Sequence, residues 1–551
     1  MVSHQSKSSE RSLPTNGRWQ IIPKSWRFVF VVVLVIGIVF RFVNLDNKVF
    51  WLDEVKATYK ISGYEFVEYQ QKFNGQIISP EDFQKYRYPK PKSTVGDTVK
   101  NLAKEDSKHV PLYFIILRLW IDYFGNSIAI IRSLSAVISL ITIPCMYWLC
   151  LELFDSLLAG AIGAALIAIS PFFLLYAQEA RPYSLWTATI LISSCFLLRA
   201  IRLKSKFNWV LYALSIVFSL YTHTLSALVV MSHSIYVLIS QKFRFNKVLI
   251  TYLATTLAVF ILFLPWLRFI VINNKELSDS IKWHDSTISL SSLLNWWIIN
   301  LSRLFLDIDP TYSVETDFSS FNNPFFIFLI AALFLITGYS IYYLIQHGNL
   351  KNQSFVLTII IVPALCLAIP DVFGGGIRST ASRYLIPSYI GIYLSVIYLL
   401  SSKIGLKENR LSQHKMWLFI ASLLIAGGVF SCGTISLQVT WWNKYFASEL
   451  PQVGEIINQA NQPLVVIDRA GWSQDNGLSL SYFLDSKVRL QLLADRKLLK
   501  VPQDFQNIFL FAPSEDLLNQ IKQEGKFKLE PICPIVFSST NLFKVDRSHA
   551  K

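Results

Sequence analysis

The sequence predicts an all-α polytopic membrane protein with about 11 spans and a small C-terminal α/β domain outside the membrane. Three observations predict this fold. Hydrophobic residues make up 53% of the 551 residues, charged residues make up only 16%, and the mean hydropathy is +0.41. Apolar runs close to the roughly 20 residues that cross a bilayer recur along the chain. Many basic residues fall in the short loops between these runs, as in helical membrane proteins.

The predicted spans follow one another from residue 26 to residue 437, and together they form a transmembrane domain. A further apolar segment, 111–124, is too short to span comfortably and carries Arg118 and Asp122. We therefore expect it to be a helix on the outer face, within a long outer loop over 45–127. The predicted spans are 26–44, 128–151, 157–176, 183–203, 208–222, 224–240, 247–271, 324–346, 353–371, 384–401 and 415–437.

Basic residues in the loops predict the orientation of the chain. The N-terminal tail, 1–25, carries several lysines and arginines and is expected to be cytoplasmic. The other basic loops fall on the same side only if 111–124 does not cross, which predicts 11 spans with the C-terminus outside. Membrane topology accounts for the net charge of +15, so we expect no nucleic-acid partner.

The tail, 440–551, differs in pattern from the spans before it. Strand-like runs alternate with helix-like stretches, and Ser514 is the expected N-cap of one helix. We predict a small extracytoplasmic α/β domain, whose composition does not indicate its role. Its predicted strands are 464–467, 508–511 and 534–537, and its predicted helices are 451–460 and 514–523.

The cysteines and the N-terminus add two expectations. The six cysteines show no CxxC or Cys/His spacing, so we expect no disulfide framework and no metal site of that type. The first apolar run begins near residue 26 and is not followed by a small-residue cleavage site, which predicts a retained span.

Two adjacent carboxylates, Asp53 and Glu54, follow the first span in the run Phe50-Trp51-Leu52-Asp53-Glu54. A carboxylate so close to a span would face lipid head groups and can serve as a base at the membrane surface. The alternative is an ordinary solvated acidic pair in a loop. Repulsion between the two charges is expected to raise the pKa of one of them.

Further polar candidates lie on the predicted outer side. His109 is either a phosphate contact at a helix start or a loop histidine. Arg378 and Arg383, beside a Gly-rich loop, are candidates for binding a phosphate. For Arg378 we favour a loop cation near lipid head groups, whereas Arg383 is the better candidate because it lies beside Tyr384, where the chain re-enters the membrane.

The next three candidates can each be interpreted in two ways. Glu179 and Arg181 either pair with each other or serve the site, and His223 either has a capping or core role or contacts a substrate. Arg132, near the outer start of its span, is expected to snorkel toward the interface. Few charges at mid-span and no internal repeat disfavour a pump or carrier.

Taken in order, these residues resemble the GT-C superfamily of membrane glycosyltransferases, and most nearly the bacterial relatives of protein O-mannosyltransferases and aminoarabinose transferases. The ordered set carries the resemblance, from about residue 26 to residue 400, and Val110 stands where the family usually has a second proline. The segments are Phe50–Glu54, His109–Tyr113, Arg132–Ala136, Ser170–Pro171, Gln178–Tyr183, Tyr221–His223, Leu264–Trp266 and Ser382–Pro387.

The resemblance implies an inverting glycosyltransferase that moves a sugar from a polyprenyl-phosphate donor to a glycan, lipid or protein acceptor. Transfer would occur at the outer, periplasmic face of the inner (plasma) membrane, with no metal and no cofactor. Asp53 would be the base. Glu54 beside it is a catalytic candidate that would either orient Asp53 or bind the acceptor, and His109, Arg383 and Arg378 would bind the donor phosphate. The other active-site candidates are Tyr113, Arg132, Glu179, Arg181, His223 and Tyr384.

Other functions compete with this interpretation. One is a flippase or another transporter of lipid-linked sugars, and another is an oligosaccharide polymerase or ligase. A sensor or scaffold that presents the outer domain would need only a few spans, so eleven predicted spans disfavour it. The identity of the sugar, the acceptor and the lipid, and the oligomeric state, do not follow from the sequence.

Overall fold

The structure, a computed structural model, describes residues 24–71, 73–273, 285–308, 323–405, 411–469, 473–493, 504–532 and 541–547. Helices form most of it, and one small sheet lies in the C-terminal part. The helices of the first part of the chain are α1 (Lys24–Phe40), α2 (Leu52–Ser62), α3 (Phe66–Gln70), α4 (Pro80–Gln84), α5 (Val95–Glu105) and α6 (Leu112–Phe124).

Long apolar helices make up the middle of the chain. They are α7 (Ile128–Phe154), α8 (Leu157–Ala168), α9 (Pro171–Ala177), α10 (Tyr183–Leu203), α11 (Lys206–Thr222), α12 (Ser226–Ser240), α13 (Lys247–Ile272), α14 (Leu290–Ser302), α15 (Pro324–His347), α16 (Leu350–Gly374), α17 (Ile386–Gly405) and α18 (Leu411–Leu437). The C-terminal part adds α19 (Leu450–Gln459), α20 (Ser473–Leu480) and α21 (Glu515–Glu524).

Each predicted span coincides with one of these apolar helices or, in one case, with the pair α8 and α9. Among the described residues, seven helices are long and apolar enough to cross a bilayer, or eight if α8 and α9 form one bent span. Several spans are therefore supported by length and composition, whereas the count of 11 and the orientation stay predictions. The segment 111–124 is a helix, as expected.

Polar side chains begin several of the apolar helices. The Ser127 side chain accepts a hydrogen bond from the amide of Ile130 at the start of α7, and Asn246 accepts one from Leu249 at the start of α13. The first amides of a helix have no partner inside it, so these caps pair donors that would otherwise be left unsatisfied.

The bent pair α8 and α9 is stabilised by a buried arginine at its break. The axes of the two helices differ by 57°, and Ser170-Pro171 starts α9 after the break. The guanidinium of Arg41 donates to the carbonyls of Ala168 and Ile167 at 2.6 and 3.2 Å. A broken helix leaves such carbonyls unpaired, and Arg41 supplies their donors.

The sheet joins the long loop after the first span to the C-terminal part. Its order is β1-β3-β2-β4-β6-β5, with β2 parallel to both β3 and β4. The edge strand β1 comes from the loop 45–127 and pairs antiparallel with β3. The strands are β1 (Ile77–Ile78), β2 (Pro463–Asp468), β3 (Arg489–Leu493), β4 (Asn507–Phe511), β5 (Phe527–Pro531) and β6 (Leu542–Arg547).

The predicted α/β pattern of the tail is present in the described residues. Strands occur at 463–468 and 507–511, and Ser514 caps α21 by accepting from the amide of Leu517. The predicted strand at 534–537 lies outside the described residues. Because β1 belongs to the loop 45–127, the sheet is not built from 440–551 alone.

The C-terminal part packs directly on α2. Lys56 of α2 forms an ion pair with Asp475 of α20, with 3.0 Å between Nζ and Oδ2. Val55 of α2 and Leu478 of α20 are buried in one continuous hydrophobic core. The C-terminal part therefore helps to hold the helix that carries Asp53 and Glu54.

Candidate active site

The short helix α2 places two neighbouring carboxylates in different surroundings. Trp51 precedes it in extended conformation, and Asp53 and Glu54 lie in its first turn, where the helix dipole favours negative charge. The helix ends at Gly63, whose φ of 82° suits glycine. Because successive helical side chains point about 100° apart, Glu54 turns into the core while Asp53 stays on the open face.

Glu54 is fully buried, and four hydrogen bonds hold it. Arg132 binds it bidentately, with Nε to Oε1 at 2.7 Å and Nη2 to Oε2 at 2.6 Å. The amide of Ala180 donates to Oε1 at 3.0 Å, and Lys444 donates to Oε2 at 2.8 Å. Both carboxylate oxygens are thereby satisfied. This arrangement holds Glu54 in place and leaves no open side for a substrate.

Arg132 does not snorkel, which corrects the expectation from the sequence. Its side chain is 0% exposed, because its remaining donors bind the carbonyls of Leu45, Lys48 and Val49 at 2.6 to 2.9 Å. It therefore fixes the chain that leads from α1 to α2, as well as Glu54. Arg132 thus lies on the buried side of α2, where it holds the helix in place.

Asp53 remains partly exposed, with 19% of its side chain accessible. Arg181 donates from Nη1 to the Asp53 carbonyl at 3.3 Å, and its Nη2 lies 4.0 Å from Oδ2. Burial opposes ionisation of Asp53, but the positive charges of Arg181, Arg383 and Lys56 outweigh it and lower the pKa to about 2. Asp53 is therefore an ionised acceptor at neutral pH.

The expected repulsion between the two carboxylates does not decide their ionisation. Burial also opposes ionisation of Glu54, and its contacts with Arg132 and Lys444 outweigh it, so its pKa is lowered. Neither carboxyl has a raised pKa. Each carboxylate has positive side chains nearby, and their attraction outweighs the repulsion between the two carboxylates.

Two arginines near Asp53 each keep one unused donor atom. The Nε atoms of Arg181 and Arg383 are buried without a hydrogen-bond partner in the described part of the chain. A buried unpaired donor costs about 1–3 kcal/mol, and more when charged. Donors of this kind suit an anion that accepts from both side chains.

His109 lies between an aspartate and one of these arginines. Its Nδ1 is 2.9 Å from Oδ1 of Asp106, and its Nε2 is 3.4 Å from Nη2 of Arg181. Burial lowers the pKa of His109 to about 3, against the opposing charge of Asp106. The Lys60 ammonium also lies 2.9 Å from Nδ1, and it is 2.6 Å from Oδ2 of Asp106. A neutral ring that donates from Nδ1 to Asp106 and accepts at Nε2 from Arg181 fits these contacts when Lys60 donates to Asp106. His109 thus orients Arg181.

Glu179 is a third acidic side chain, buried behind α2. The indole nitrogen of Trp51 donates to its Oε1 at 2.5 Å, and its Oε2 has no partner among the described residues. Burial raises the pKa of Glu179 to about 7, with Lys444 opposing the shift. The structure gives Glu179 and Arg181 different side-chain partners, so the two do not pair with each other as one interpretation held.

Glu179 is expected to make stability depend on pH. Its folded pKa lies above the ordinary value of 4.5, so its contribution to stability is complete below about pH 4.5 and is lost as the pH rises through about 7. Glu179→Gln keeps an acceptor for Trp51 and removes the titration. We expect the variant to gain on the order of 3 kcal/mol relative to the wild type between pH 5 and pH 8.5.

Thermal unfolding of the purified protein in detergent at the two pH values measures this gain. Glu81→Gln, at an exposed position on α4, is the control. Any change that it causes in the thermal midpoint should be the same at pH 5 and at pH 8.5. A Glu179→Gln difference that is the same at pH 5 and pH 8.5 would contradict the raised pKa.

Two of the predicted site residues, Tyr113 and Tyr384, lie next to Arg181 and Arg383. The Tyr113 hydroxyl lies 3.0 Å from Oγ of Ser135, which in turn donates to the carbonyl of Arg181 at 3.3 Å. The Arg383 guanidinium lies 5.5 Å from the Tyr384 ring centroid. The structure thus brings Tyr113 and Tyr384 next to the two arginines.

His223 has the capping and packing contacts that one interpretation predicted. Its Nδ1 accepts from the amide of Leu225 at 3.2 Å, and its ring stacks on Trp186 with centroids 4.3 Å apart. The ring of Tyr384 lies 6.2 Å away, so His223 also borders the region of Arg383.

Arg378 is engaged by two carboxylates outside the group around Asp53. It donates to Oδ1 of Asp371 at 3.2 Å and forms an ion pair with Asp285. These two carboxylates satisfy much of its charge. Arg383 is therefore the better candidate for the donor phosphate, as its closeness to Asp53 also indicates.

Several residues of the site were missed in the sequence. Lys444 follows the last span and binds Glu54 across 390 positions. Asp106 also belongs to the site, and the only indication of this in the sequence is its position three residues before His109. Lys56 and Lys60 follow Asp53 at helical intervals, and this spacing predicts that the three side chains share one face of a helix. In the described residues, no group of three or more His, Cys, Asp and Glu side chains is placed to hold a metal ion.

Part of the chain matches a known family. Residues 108–269 match the model of the dolichyl-phosphate-mannose-protein mannosyltransferases. This stretch is less than a third of the chain; it includes His109, Arg132, Glu179 and Arg181, but Asp53 and Arg383 lie outside it. No curated protein matches the chain at a significant level.

Two solved structures are similar to this chain at low sequence identity, and one of them, ArnT, shares its fold. ArnT from Cupriavidus metallidurans, bound to undecaprenyl phosphate, has a TM-score of 0.51 and 11% identity, over 95% of this chain and 98% of that one. The oligosaccharyltransferase from Archaeoglobus fulgidus, tethered with an acceptor peptide, has a TM-score of 0.46 and 12% identity, over 86% of this chain. The chain spans 65% of that oligosaccharyltransferase.

Proposed function

We propose, on the premise that this chain resembles the GT-C membrane glycosyltransferases as its sequence predicts, that it is an inverting glycosyltransferase. It would move a sugar from a polyprenyl-phosphate donor to an acceptor hydroxyl at the outer face of the membrane. One observation carries the proposal. An ionised, partly exposed Asp53 lies near Arg181 and Arg383, whose buried Nε atoms have no partner among the described residues.

The arginine side of the site suits the donor. A sugar linked to a lipid phosphate presents a phosphodiester with one negative charge next to the anomeric carbon. Arg181 and Arg383 would bind its oxygens, and His109 would keep Arg181 in place. The family match over residues 108–269 and the fold shared with ArnT, which binds undecaprenyl phosphate, support a lipid-phosphate substrate of this class.

The carboxylate side of the site suits the acceptor. Asp53 would accept the proton of the acceptor hydroxyl while that oxygen attacks the anomeric carbon from the face opposite the phosphate. The bond from carbon to phosphate oxygen breaks, and its electron pair stays with the phosphate. A positioned general base contributes roughly 10²–10⁴-fold to the rate.

The leaving group needs charge stabilisation more than it needs a proton. A phosphate monoester is a weak base, so a general acid is not required. As the negative charge on the leaving phosphate grows, Arg181 and Arg383 would stabilise it through hydrogen bonds that are already oriented. Metal-independent transfer is part of this proposal.

Binding of the donor would also tune Asp53. In the free site, the two arginines help to hold its pKa at about 2, which makes it a weak base. A bound phosphate neutralises part of their charge and raises the pKa of Asp53 toward its ordinary value. The base would thus gain strength when the donor is in place.

A transfer assay tests the proposal. The purified protein is reconstituted in vesicles and incubated with polyprenyl-phosphate sugars labelled in the sugar, together with membranes from cells that lack the protein. We expect label in a new glycoside and release of polyprenyl phosphate. Label that only crosses the bilayer, with the donor intact, would instead support a transporter of lipid-linked sugars. A ladder of product lengths would support a polymerase.

A further inference from the structure

The loop between α16 and α17 carries Arg383, and residues 375–385 are called the Arg383 loop below. The loop leaves α16 through Gly375 and Gly376, whose φ angles of 75° and 144° favour glycine. Glycines in such conformations restrict the backbone little, so contacts further along must fix the path of the loop. At its other end the loop runs directly into α17, most of which is buried.

Asp371, in the last turn of α16, holds the middle of the Arg383 loop. Its Oδ2 accepts hydrogen bonds from the amide of Ser379 at 2.6 Å and from the hydroxyl of Ser379 at 2.7 Å. Its Oδ1 accepts from Nη1 of Arg378 at 3.2 Å. The side chain of Asp371 is buried. Both oxygens of this carboxylate therefore bind the loop.

The stability of α16 does not explain a carboxylate at this position. A negative charge in the last turn of a helix is opposed by the helix dipole, and the last turn of α16 contains no basic residue. A buried carboxylate is also costly unless it is paired and hydrogen-bonded. The contacts of Asp371 with Arg378 and Ser379 offset these costs. The position of Asp371 thus suits the loop and not the helix.

Two further helices contact the same part of the loop. Two side chains of α14 donate hydrogen bonds to it, and one hydroxyl of α9 meets it. The contacts are Trp297 Nε1 to Ser379 Oγ at 3.0 Å, Asn300 Nδ2 to the Thr380 carbonyl at 2.9 Å, and the Tyr176 hydroxyl to Ser382 Oγ at 3.3 Å. The last of these contacts lies one residue before Arg383.

Among these contacts, those of Asp371 are expected to be the strongest. Hydrogen bonds to an ionised acceptor are shorter and roughly twice as strong as bonds between neutral groups. The two bonds from Ser379 to Asp371 are 2.6 and 2.7 Å long, whereas the neutral contacts of α14 and α9 are 2.9 to 3.3 Å long. Removal of the Asp371 charge should therefore loosen the loop most.

We propose that Asp371 is a positioning residue for Arg383. The inference rests on the proposed function, in which Arg383 binds the donor phosphate. The helix α17 holds the chain after Arg383, and the bonds between Asp371 and Ser379 hold the chain before it. The guanidinium thereby keeps one orientation while charge grows on the leaving phosphate. A donor that is oriented in advance stabilises such a charge without a reorganisation cost.

A double-mutant cycle of Asp371→Asn and Arg383→Ala tests the inference. The value of kcat/KM for the labelled polyprenyl-phosphate sugar is measured with the full chain in vesicles and saturating acceptor membranes. We expect Asp371→Asn alone to lower kcat/KM by roughly 10- to 100-fold, because a misplacement by 1 Å can cost 10²-fold. In the Arg383→Ala background the same change should cost less than about twofold. Equal losses in both backgrounds overturn the inference.

A milder variant covers the case in which Asp371→Asn yields too little folded protein. Ser379→Ala removes the hydroxyl bond to Asp371 and keeps the bond from the amide. We expect it to lower kcat/KM about fivefold, the equivalent of one hydrogen bond, and only when Arg383 is present. Wild-type kcat/KM in Ser379→Ala overturns the inference.

A buried carboxylate elsewhere is the matched control for general loss of stability. Glu152 is buried and pairs with Arg202 at 2.8 Å. It lies 20 residues after Arg132 on α7, which is about 30 Å along the helix axis. Glu152→Gln should lower the thermal midpoint and leave kcat/KM within about twofold of the wild type. A loss of kcat/KM as large as that of Asp371→Asn overturns the inference.

The same measurements distinguish failure of the inference from failure of the proposed function. If the wild type transfers sugar and Arg383→Ala has the same kcat/KM, Arg383 does not bind the donor. That result overturns the inference and leaves a glycosyltransferase in place. If the wild type transfers no sugar from any polyprenyl-phosphate donor, the proposed function and the inference are both overturned.

Discussion

Asp53→Asn is expected to lower kcat for sugar transfer by about 10²–10⁴-fold, because the amide cannot accept the proton of the acceptor hydroxyl. The variant should still fold and insert in the membrane, since Asp53 is partly exposed and its nearest side-chain charge, on Arg181, lies 4.0 Å away. Binding of the donor should be equal or tighter, because Arg181 and Arg383 lose a competing carboxylate.

Single-turnover transfer from a labelled donor measures this effect, with donor binding followed separately. Asp122→Asn is the matched control. That carboxylate lies on α6, is 43% exposed and pairs with Arg118, so its loss should change neither rate nor binding. Asp53→Glu should keep a fraction of the activity, because the carboxylate remains but is displaced. Wild-type turnover by Asp53→Asn would rule out Asp53 as the base.

The pH profile gives an independent view of the same carboxyl. With a pKa of about 2 in the free site, Asp53 is ionised throughout the physiological range. It should therefore contribute no acid limb to kcat/KM between about pH 5 and pH 8. With donor bound, the weaker attraction of the arginines should move the acid limb of kcat to higher pH than that of kcat/KM.

The helices were predictable because a bilayer imposes their length. The run 247–271 appears as Lys247–Ile272, capped by Asn246, since about 20 apolar residues form a span whatever surrounds them. The strand Ile77–Ile78 was not predictable, because two residues carry no periodicity and their partner, β3, is more than 400 positions away. Strand pairing depends on tertiary contacts that no local pattern encodes.

The sequence predicts many of the residues of the site, but it does not predict which role each residue has. Asp53 and Glu54 are adjacent and chemically similar, and only their partners distinguish them. The partners of Glu54 come from α7, from the turn before α10 and from the segment after the last span, so nothing near residue 54 indicates that its side chain is fully paired. Arg378 and Arg383 share one loop, yet Asp371 holds the first. Such choices follow from packing between distant segments.

Removal of the charge of Glu54 is expected to destabilise the protein more than any change at Asp53. Glu54→Gln leaves the buried cations Arg132 and Lys444 facing a neutral amide, whose nitrogen is a donor where both need an acceptor. Breaking a buried ion pair by removing one partner costs about 3–5 kcal/mol. We expect a large fall in the thermal midpoint and in the monodisperse fraction after detergent extraction, with Glu81→Gln unchanged.

A double variant distinguishes uncompensated charge from simple loss of contacts. Lys444→Met in the Glu54→Gln background removes one of the two orphaned cations, and a hydrocarbon chain fills its place. If buried charge is the cause, the double variant should be more stable than Glu54→Gln alone, a coupling that a double-mutant cycle measures directly. Equal or lower stability of the double variant would contradict this account. Recovery would show that the main role of Glu54 is to neutralise the buried cations Arg132 and Lys444, which come from α7 and from the segment before the C-terminal part.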